Sequence, residues 1–465
     1  MLAMERIGFV KTRKSQEIDD SPFGVGCEDI INPIHPYKIS NESLSNKALS
    51  PAEIADYVAS LGVKWCRVWA EWPLIVTSNG SYKWDDMDEA VEELSKRKIR
   101  PFICFCSHYG SHFELPPTTS AEKMRSWLNF VKAVVERYFE KVSYWEIWNE
   151  PNTAYFWRPE PNVEAYALLV KETSKTIKNI DPNAVILAGV TAMVDMEFSE
   201  ALLARETAPF IDKFVFHPYG EIPEETIEAI NRLKGLLEVQ ENKIGLWQGE
   251  CGYPSTENTA GWYGSGPWGE KIQAKWILRR LLTDLSIGVE VSSIYTLLEQ
   301  VAEIENPDSE DYGKEGVNTK GLLRFGLWQP KPAYFSYQNL IGLIDNSFSS
   351  STSLSPVFKV TDQGVFHGLI PKKIMTFIRW KQDQELLAYW LPWRPQEIIK
   401  HAKVNVCLEG SGKIDEPILI DLLDGSVYEV DKYLERENKM EFLNLPLADY
   451  PMVLTSLKLV DIVKK

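Results

Sequence analysis

Two glutamates, Glu150 and Glu250, stand out in this chain as residues suited to acid–base or nucleophilic chemistry. Glu150 lies in the segment YWEIWNEPN, where an apolar, aromatic run breaks off at Asn149-Glu150-Pro151. Because proline has no N–H donor, the strand that opens this segment must stop there. Glu250 has a similar place near the end of KIGLWQGECG. Two facing carboxylates can cleave a glycosidic bond, one by protonating the leaving oxygen and the other by attacking or stabilising the sugar cation.

Further polar and aromatic side chains lie at or near the ends of other apolar segments. They are Arg67 and Trp69 in the second strand-like segment, His108 after the third, Asn149 beside Glu150, His217 and Tyr219 after the sixth, and Tyr295 and Glu299 in the eighth. In a barrel of parallel strands, side chains at carboxyl ends meet at one mouth, whatever their separation in sequence. We therefore predict that these residues bind the substrate.

The elements that must position these residues alternate between apolar strands and amphipathic helices. The predicted strands span residues 23–27, 63–72, 99–108, 144–152, 185–190, 213–220, 243–252 and 289–300, and the predicted helices span 51–61, with Ser50 as N-cap, 85–98, 121–139, 163–180, 223–237, 271–285 and 331–344. This α/β alternation predicts a (β/α)8 TIM barrel over residues 15–346. A doubly wound open sheet is the alternative, disfavoured because no glycine-rich phosphate turn follows the first strand.

The residue pattern of the sequence changes after a serine-rich linker, NSFSSSTSLS. Short alternating runs follow, and Asp424-Gly425 between two of them is a hairpin signal. Residues 347–465 are therefore predicted to form a small C-terminal antiparallel β-sandwich. The segment RIGFVKT, within residues 1–14, is a candidate to contribute one more strand to it.

Composition narrows the class of partner. The net charge of −16 argues against nucleic acid, whose phosphates are bound through Lys and Arg. No apolar run is long enough to span a membrane, and the first residues lack the apolar core of a secretory signal. The six cysteines lack paired zinc-ligand spacing, which favours free thiols and a reducing compartment. We expect a cytoplasmic protein, or a secreted one from which the signal has been removed.

Several of these motifs together resemble the clan of retaining β-glycosidases with barrels, nearest to glycoside hydrolase family 39. The motifs are YKWDDMD, WEIWNEPN, AYALLVK, DPNAVILAG, FHPYG, WQGECG and KPAYFSYQNL. The resemblance implies that Glu150 is the acid/base, that Glu250 is the nucleophile, and that Asn149 contacts the sugar 2-hydroxyl. It also implies that Arg67 keeps the nucleophile ionised and that His217 or Tyr219 touches it. An oligosaccharide or glycoside substrate follows, and no cofactor is required.

Other assignments remain open or are disfavoured at this point. Tyr295 stands where the clan often has a tryptophan floor, Glu299 is a rival nucleophile of low rank, and Glu146 should point elsewhere. His108 and His112 are four residues apart but enclose a glycine after a strand, so metal catalysis is not expected. An endo-acting β-glucanase or xylanase is an alternative to the glycosidase. A noncatalytic carbohydrate-binding barrel is the alternative from another class.

Overall fold

A computed structural model describes residues 4–31, 48–107, 116–220, 222–257, 259–260, 266–303, 313–364, 373–398, 401–436 and 438–464 of the chain. Strand β1 (Arg6–Val10) belongs to a C-terminal sheet. The barrel strands are β2 (Phe23–Gly26), β3 (Trp65–Glu71), β4 (Arg100–Cys106), β5 (Tyr144–Ile147), β6 (Val185–Ala192), β7 (Lys213–His217), β8 (Gly245–Cys251) and β9 (Val291–Ile294). They are parallel, pair in sequence order and close where β2 meets β9. The predicted barrel is confirmed.

Helices follow the strands, as the periodicity predicts. They are α1 (Pro51–Leu61), α2 (Trp72–Ile75), α3 (Asp85–Lys96), α4 (Ala121–Tyr138), α5 (Val163–Ile180), α6 (Met196–Leu203), α7 (Ile227–Glu238), α8 (Glu270–Ser286) and α9 (Pro332–Leu343). Ser50 caps α1 as predicted, because its hydroxyl accepts the Glu53 N–H while the Glu53 carboxylate accepts the Ser50 N–H. Helix α6 was not predicted. Within the described ranges, no helix is both long and apolar enough to cross a bilayer.

An apolar plug fills part of the barrel interior. Trp65 on β3 and Trp247 on β8 meet at a ring separation of 4.9 Å, although these strands are not neighbours. Tyr144 and Phe102 complete this aromatic group. Side chains two apart share a strand face. The next inward positions on β3, β4, β5, β7 and β8 are therefore Arg67, Cys104, Glu146, His217 and Gly249. The interior therefore changes from apolar to polar within one step toward the carboxyl ends.

The strands that follow β9 form one short hairpin and two antiparallel sheets. The strands are β10 (Gln300–Glu303), β11 (Glu315–Asn318), β12 (Ser349–Ser350), β13 (Leu354–Asp362), β14 (Met375–Lys381), β15 (Gln384–Trp390), β16 (Ala402–Gly410), β17 (Pro417–Asp421), β18 (Ser426–Glu429), β19 (Tyr433–Arg436), β20 (Lys439–Leu447), β21 (Met452–Ser456) and β22 (Ile462–Val463). One sheet has the order β12-β14-β15-β21-β17-β18-β1-β22 and the other β13-β16-β20-β19, while β10 and β11 make a separate hairpin before α9. Phe358 of the smaller sheet packs against Tyr389 of the larger one.

Two of the predictions for this region can be compared with individual contacts. The Asp424-Gly425 turn joins β17 to β18, and the Gly425 N–H donates to the Asp421 carbonyl at 2.8 Å. Gly425 has a φ of 76°, a conformation that glycine adopts without strain. The N-terminal strand β1 pairs with β18 and with β22. The exact domain limits at residues 15, 346 and 347 stay a prediction.

Buried charges join the sandwich to the barrel. The Lys275 ammonium on α8 binds both oxygens of Asp449, at 2.9 and 3.1 Å, and all of these groups are almost fully buried. The Asp449 carboxylate also accepts the Gln396 N–H at 2.7 Å. Arg279, one turn further along α8, binds Glu224 of the barrel through two nitrogens and donates to the Trp393 carbonyl of the sandwich. Packing of the two parts therefore depends on satisfying two buried cations.

Replacing Asp449 with alanine should destabilise the protein strongly, because it leaves the Lys275 ammonium buried without its counter-ion. We expect the free energy of unfolding, measured by urea denaturation, to fall by about 3–5 kcal/mol. Glu409→Ala is the matched control, since it removes an exposed ion pair with Lys439 from the same sandwich and should change little. A wild-type urea midpoint for Asp449→Ala would contradict this account.

Candidate active site

The buried guanidinium of Arg67 is the centre of the polar layer. Its Nη1 donates to Glu250 Oε2 at 2.6 Å, and its Nη2 donates to Asn149 Oδ1 at 2.7 Å. Both Nε and Nη2 donate to a single oxygen, Glu146 Oε1, at 2.9 and 2.5 Å. Glu28, just after β2, places a carboxylate oxygen 3.7 Å from Nη1. One cation therefore contacts four residues that come from three different strands of the barrel wall or their ends.

Glu250 accepts hydrogen bonds on both of its oxygens. In addition to the Arg67 contact at Oε2, the Tyr219 hydroxyl donates to Oε1 at 2.5 Å. Burial, together with the nearby Glu250 charge, raises the pKa of Tyr219 well above its usual value, so the phenol keeps its proton and remains a donor. These two donors hold the carboxylate in one orientation.

Glu150 has a different environment. Its Oε1 lies 2.9 Å from Nδ1 of His217, and burial raises the pKa of the Glu150 carboxyl to about 7, although the Arg67 charge opposes this rise. Burial lowers the pKa of His217 to about 4, so the imidazole is neutral near pH 7. Glu150 is thus half protonated near pH 7. The two glutamates therefore have different surroundings, as is needed when one acts as acid and the other as nucleophile.

The backbone around Glu150 is strained and tightly held. Trp148 and Glu150 have φ values of 67° and 42°, in a region uncommon for residues other than glycine. Such conformations cost roughly 1–3 kcal/mol each and persist where surrounding contacts fix them. The Glu150 N–H donates to Val190 O at 3.0 Å, and the Asn152 side chain bonds both the N–H and the carbonyl of Ala192. Strand β6 therefore holds the turn that presents the carboxylate.

A carboxylate oxygen from each glutamate and a His217 nitrogen lie within 4.8 Å of one another. Two carboxylates and an imidazole are also a donor set for a divalent cation. Here, however, both Glu250 oxygens already accept hydrogen bonds from Arg67 and Tyr219, so a metal ion bound there would lie close to the guanidinium charge. The set therefore fits two interacting carboxyl groups better than a metal centre.

The other predicted site residues have varied surroundings. Trp69, two positions after Arg67, packs against Cys104, Cys106 and Phe156. Tyr295 is half-buried, donates to Gln300, and is close enough to Tyr219 to contribute to its raised pKa. His108 lies outside the described residues.

The Glu299 carboxylate binds groups outside the polar layer around Arg67. It is ion-paired with Lys331 and accepts the Phe325 N–H at 2.7 Å. These contacts lie with the segment after β11 and not with the Arg67 cluster, so the geometry does not favour Glu299 as a rival nucleophile.

The expectation that Glu146 points elsewhere was wrong. Its side chain is fully buried against Arg67, in the polar layer of the barrel. Glu28 was also not identified from the sequence. The signal for Glu146 was its spacing of two from Tyr144, which places both side chains on one strand face. Glu28 had a weaker signal, its position directly after the first strand.

Comparison with known proteins agrees with this geometry. Residues 75–219 match the model of the glycosyl hydrolases family 39. A beta-xylosidase of Geobacillus stearothermophilus is 30% identical over 117 residues, a match that spans 22% of this chain and only 23% of that relative. All six cysteines of the chain are free thiols, so disulfides play no part in the likeness.

Solved structures extend the likeness to the whole fold. A family 39 glycoside hydrolase from the gut symbiont Bacteroides cellulosilyticus WH2 has a TM-score of 0.66 at 18% identity, covering 97% of this chain and 83% of that one. A monomeric beta-xylosidase from Caulobacter crescentus has a TM-score of 0.58 at 16% identity, covering 97% of each chain. The predicted resemblance is confirmed: the chain resembles the family 39 glycosyl hydrolases in sequence over residues 75–219 and in fold over nearly its whole length.

Proposed function

We propose that this protein is a retaining glycoside hydrolase that cleaves β-glycosidic bonds by double displacement. The observation that carries the proposal is that one carboxylate oxygen of Glu150 lies within 4.8 Å of one of Glu250, while the surroundings of the two carboxyl groups differ. In retaining enzymes the two carboxyl groups are about 5–5.5 Å apart, whereas inverting enzymes need about 6.5–9.5 Å to admit a water between them. The short gap therefore supports retention.

The proposed reaction has two steps. In the first, a Glu250 oxygen attacks the anomeric carbon, the bond to the leaving oxygen breaks, and Glu150 gives its proton to that oxygen. In the second, Glu150 takes a proton from water, whose oxygen attacks the same carbon and releases Glu250. The hydrogen bonds from Arg67 and Tyr219 hold the attacking carboxylate in line. The relatives named beta-xylosidase make β-xylosides the first substrates to test.

A substrate panel tests this proposal directly. Aryl β-xyloside, β-glucoside, β-galactoside and β-glucuronide should include at least one substrate that is hydrolysed with retention, so that proton NMR shows the β-anomer as the first product. Glu250→Ala should lower kcat on that substrate by about a thousandfold or more, since it removes the attacking group. Glu241→Ala is the control, because Glu241 is exposed just before the amino end of β8. Initial release of the α-anomer, or normal turnover by Glu250→Ala, would contradict the proposal.

The raised pKa of Glu150 predicts the pH dependence of the reaction. Glu150 must be protonated to act as acid, so kcat/KM should fall above about pH 7, by up to tenfold per pH unit. This fall above pH 7 is the alkaline limb of the pH profile, and it should disappear in Glu150→Ala. The loss of kcat/KM, which reports the first step, should also be much smaller for dinitrophenyl than for alkyl glycosides, since a good leaving group needs no proton. An unchanged limb, or equal losses on both substrates, would remove Glu150 from the acid role.

A further inference from the structure

Glu146 is a buried carboxylate without a place in the proposed chemistry. Both Glu146 and Arg67 have fully buried side chains, and Glu146 lies behind the guanidinium with no contact to Glu150 or Glu250 among the described residues. Burying a charged side chain costs free energy unless it is well paired. The burial of the Glu146 charge is therefore not explained by its place in a strand alone.

The contact between the two residues fixes the direction of the guanidinium. Glu146 Oε1 accepts from both Nε and Nη2 of Arg67. Because the guanidinium is planar and rigid, fixing these two nitrogens also fixes where Nη1 points. That remaining nitrogen donates to Glu250 Oε2 at 2.6 Å, while Nη2 also orients the Asn149 amide. Without Glu146, the plane could turn to place a second nitrogen on Glu250.

The second oxygen of Glu146 lies near His217, the residue that contacts the other catalytic carboxyl group. A Cβ on Gly249 would stand 3.5 Å from Glu146 Oε2 and 3.2 Å from His217 Nε2, so both atoms flank this glycine. Neither atom has a hydrogen-bond partner among the described residues. The Glu146 charge also raises the pKa of His217, against the larger lowering by burial. Since His217 contacts Glu150 through Nδ1, Glu146 lies close to both halves of the catalytic pair.

We propose that Glu146 is a positioning residue, which aims Arg67 at Glu250 and limits how strongly the Arg67 charge acts on Glu150. This inference rests on the proposed function and adds a role to it. Among the described residues, the charged or titratable groups that contact Arg67, Glu150 or Glu250 include Glu146 on β5, Cys104 on β4, His217 on β7, and Tyr219 and Glu28 in the adjoining segments. Removing the Glu146 charge leaves the positive charge of Arg67 less neutralised. The ionised form of Glu150 then becomes more favourable, and the alkaline limb moves to lower pH.

Glu146→Gln tests the charge, because the amide keeps the shape and an acceptor oxygen. We expect kcat to fall about ten- to a hundredfold with KM little changed, as for a group that positions the catalytic pair. The alkaline limb should move down by about half to one pH unit. Glu146→Asp tests position, because it keeps the charge but withdraws the carboxylate by one methylene. It should lower kcat while leaving the limb near its wild-type pH.

Glu224→Gln is the matched control. Glu224 is also a buried glutamate that binds an arginine through two nitrogens, Nε and Nη2 of Arg279, but it lies between the barrel and the sandwich. Thermal midpoints of both glutamine variants show how much stability each loses. Glu224→Gln should leave the pH profile unchanged. A limb that moves equally in the control would overturn the inference, since the effect would then be general.

A covalent label separates failure of this inference from failure of the proposed function. A dinitrophenyl 2-deoxy-2-fluoro-β-glycoside of the preferred sugar should label Glu250 in the wild-type protein, as shown by peptide mass. Absence of both turnover and labelling in wild type would sink the proposed function itself. If wild type is labelled but Glu146→Gln keeps the wild-type kcat and alkaline limb, only the role of Glu146 is overturned. Wild-type kcat in Glu146→Asp would likewise exclude positioning.

Discussion

The buried charge of Arg67 is the constraint on which the candidate site depends. A guanidinium cannot lose its proton in a protein, so its burial requires that carboxylates surround it. The three that do so come from separate places: Glu28 follows β2, Glu146 lies on β5, and Glu250 lies on β8. Satisfying one cation therefore ties distant strands of the barrel together. The same contacts that stabilise the interior also orient Glu250.

The cluster carries more negative than positive charge. Three carboxylates contact one arginine, and Glu150 lies nearby with a pKa raised by burial. Such an excess of negative charge suits a transition state in which positive charge develops on the sugar ring. The apolar plug of Trp65, Trp247, Phe102 and Tyr144 fills the barrel interior next to this cluster, toward the amino ends of the strands.

Much of the fold could be predicted because strand and helix periods are local properties. Helix α1 has the predicted limits, including its Ser50 cap, and all eight barrel strands fall within or close to the predicted segments. Glu150 and Glu250 could be identified because both occur near the ends of apolar runs. The hairpin of β10 and β11 was not predicted, since its four-residue strands, QVAE and EGVN, carry little apolar alternation.

Side-chain partners were harder to predict because they depend on contacts between distant segments. Nothing near Glu299 in the sequence indicates that Lys331 will neutralise it, and nothing near Glu146 indicates Arg67. The pairing of Lys275 with Asp449 joins residues 174 positions apart. Such ion pairs follow from the register of the barrel and the packing of the sandwich, which hydrophobic periodicity does not determine.

The position of β1 in the larger C-terminal sheet has a consequence for synthesis on the ribosome. This strand is made before the whole barrel, yet its partners β18 and β22 begin at residues 426 and 462. At about 5–20 residues per second, the first partner follows only after roughly 20–85 seconds. During that interval the barrel segments can emerge and fold while β1 presents unpaired backbone groups, the condition under which strand edges associate wrongly.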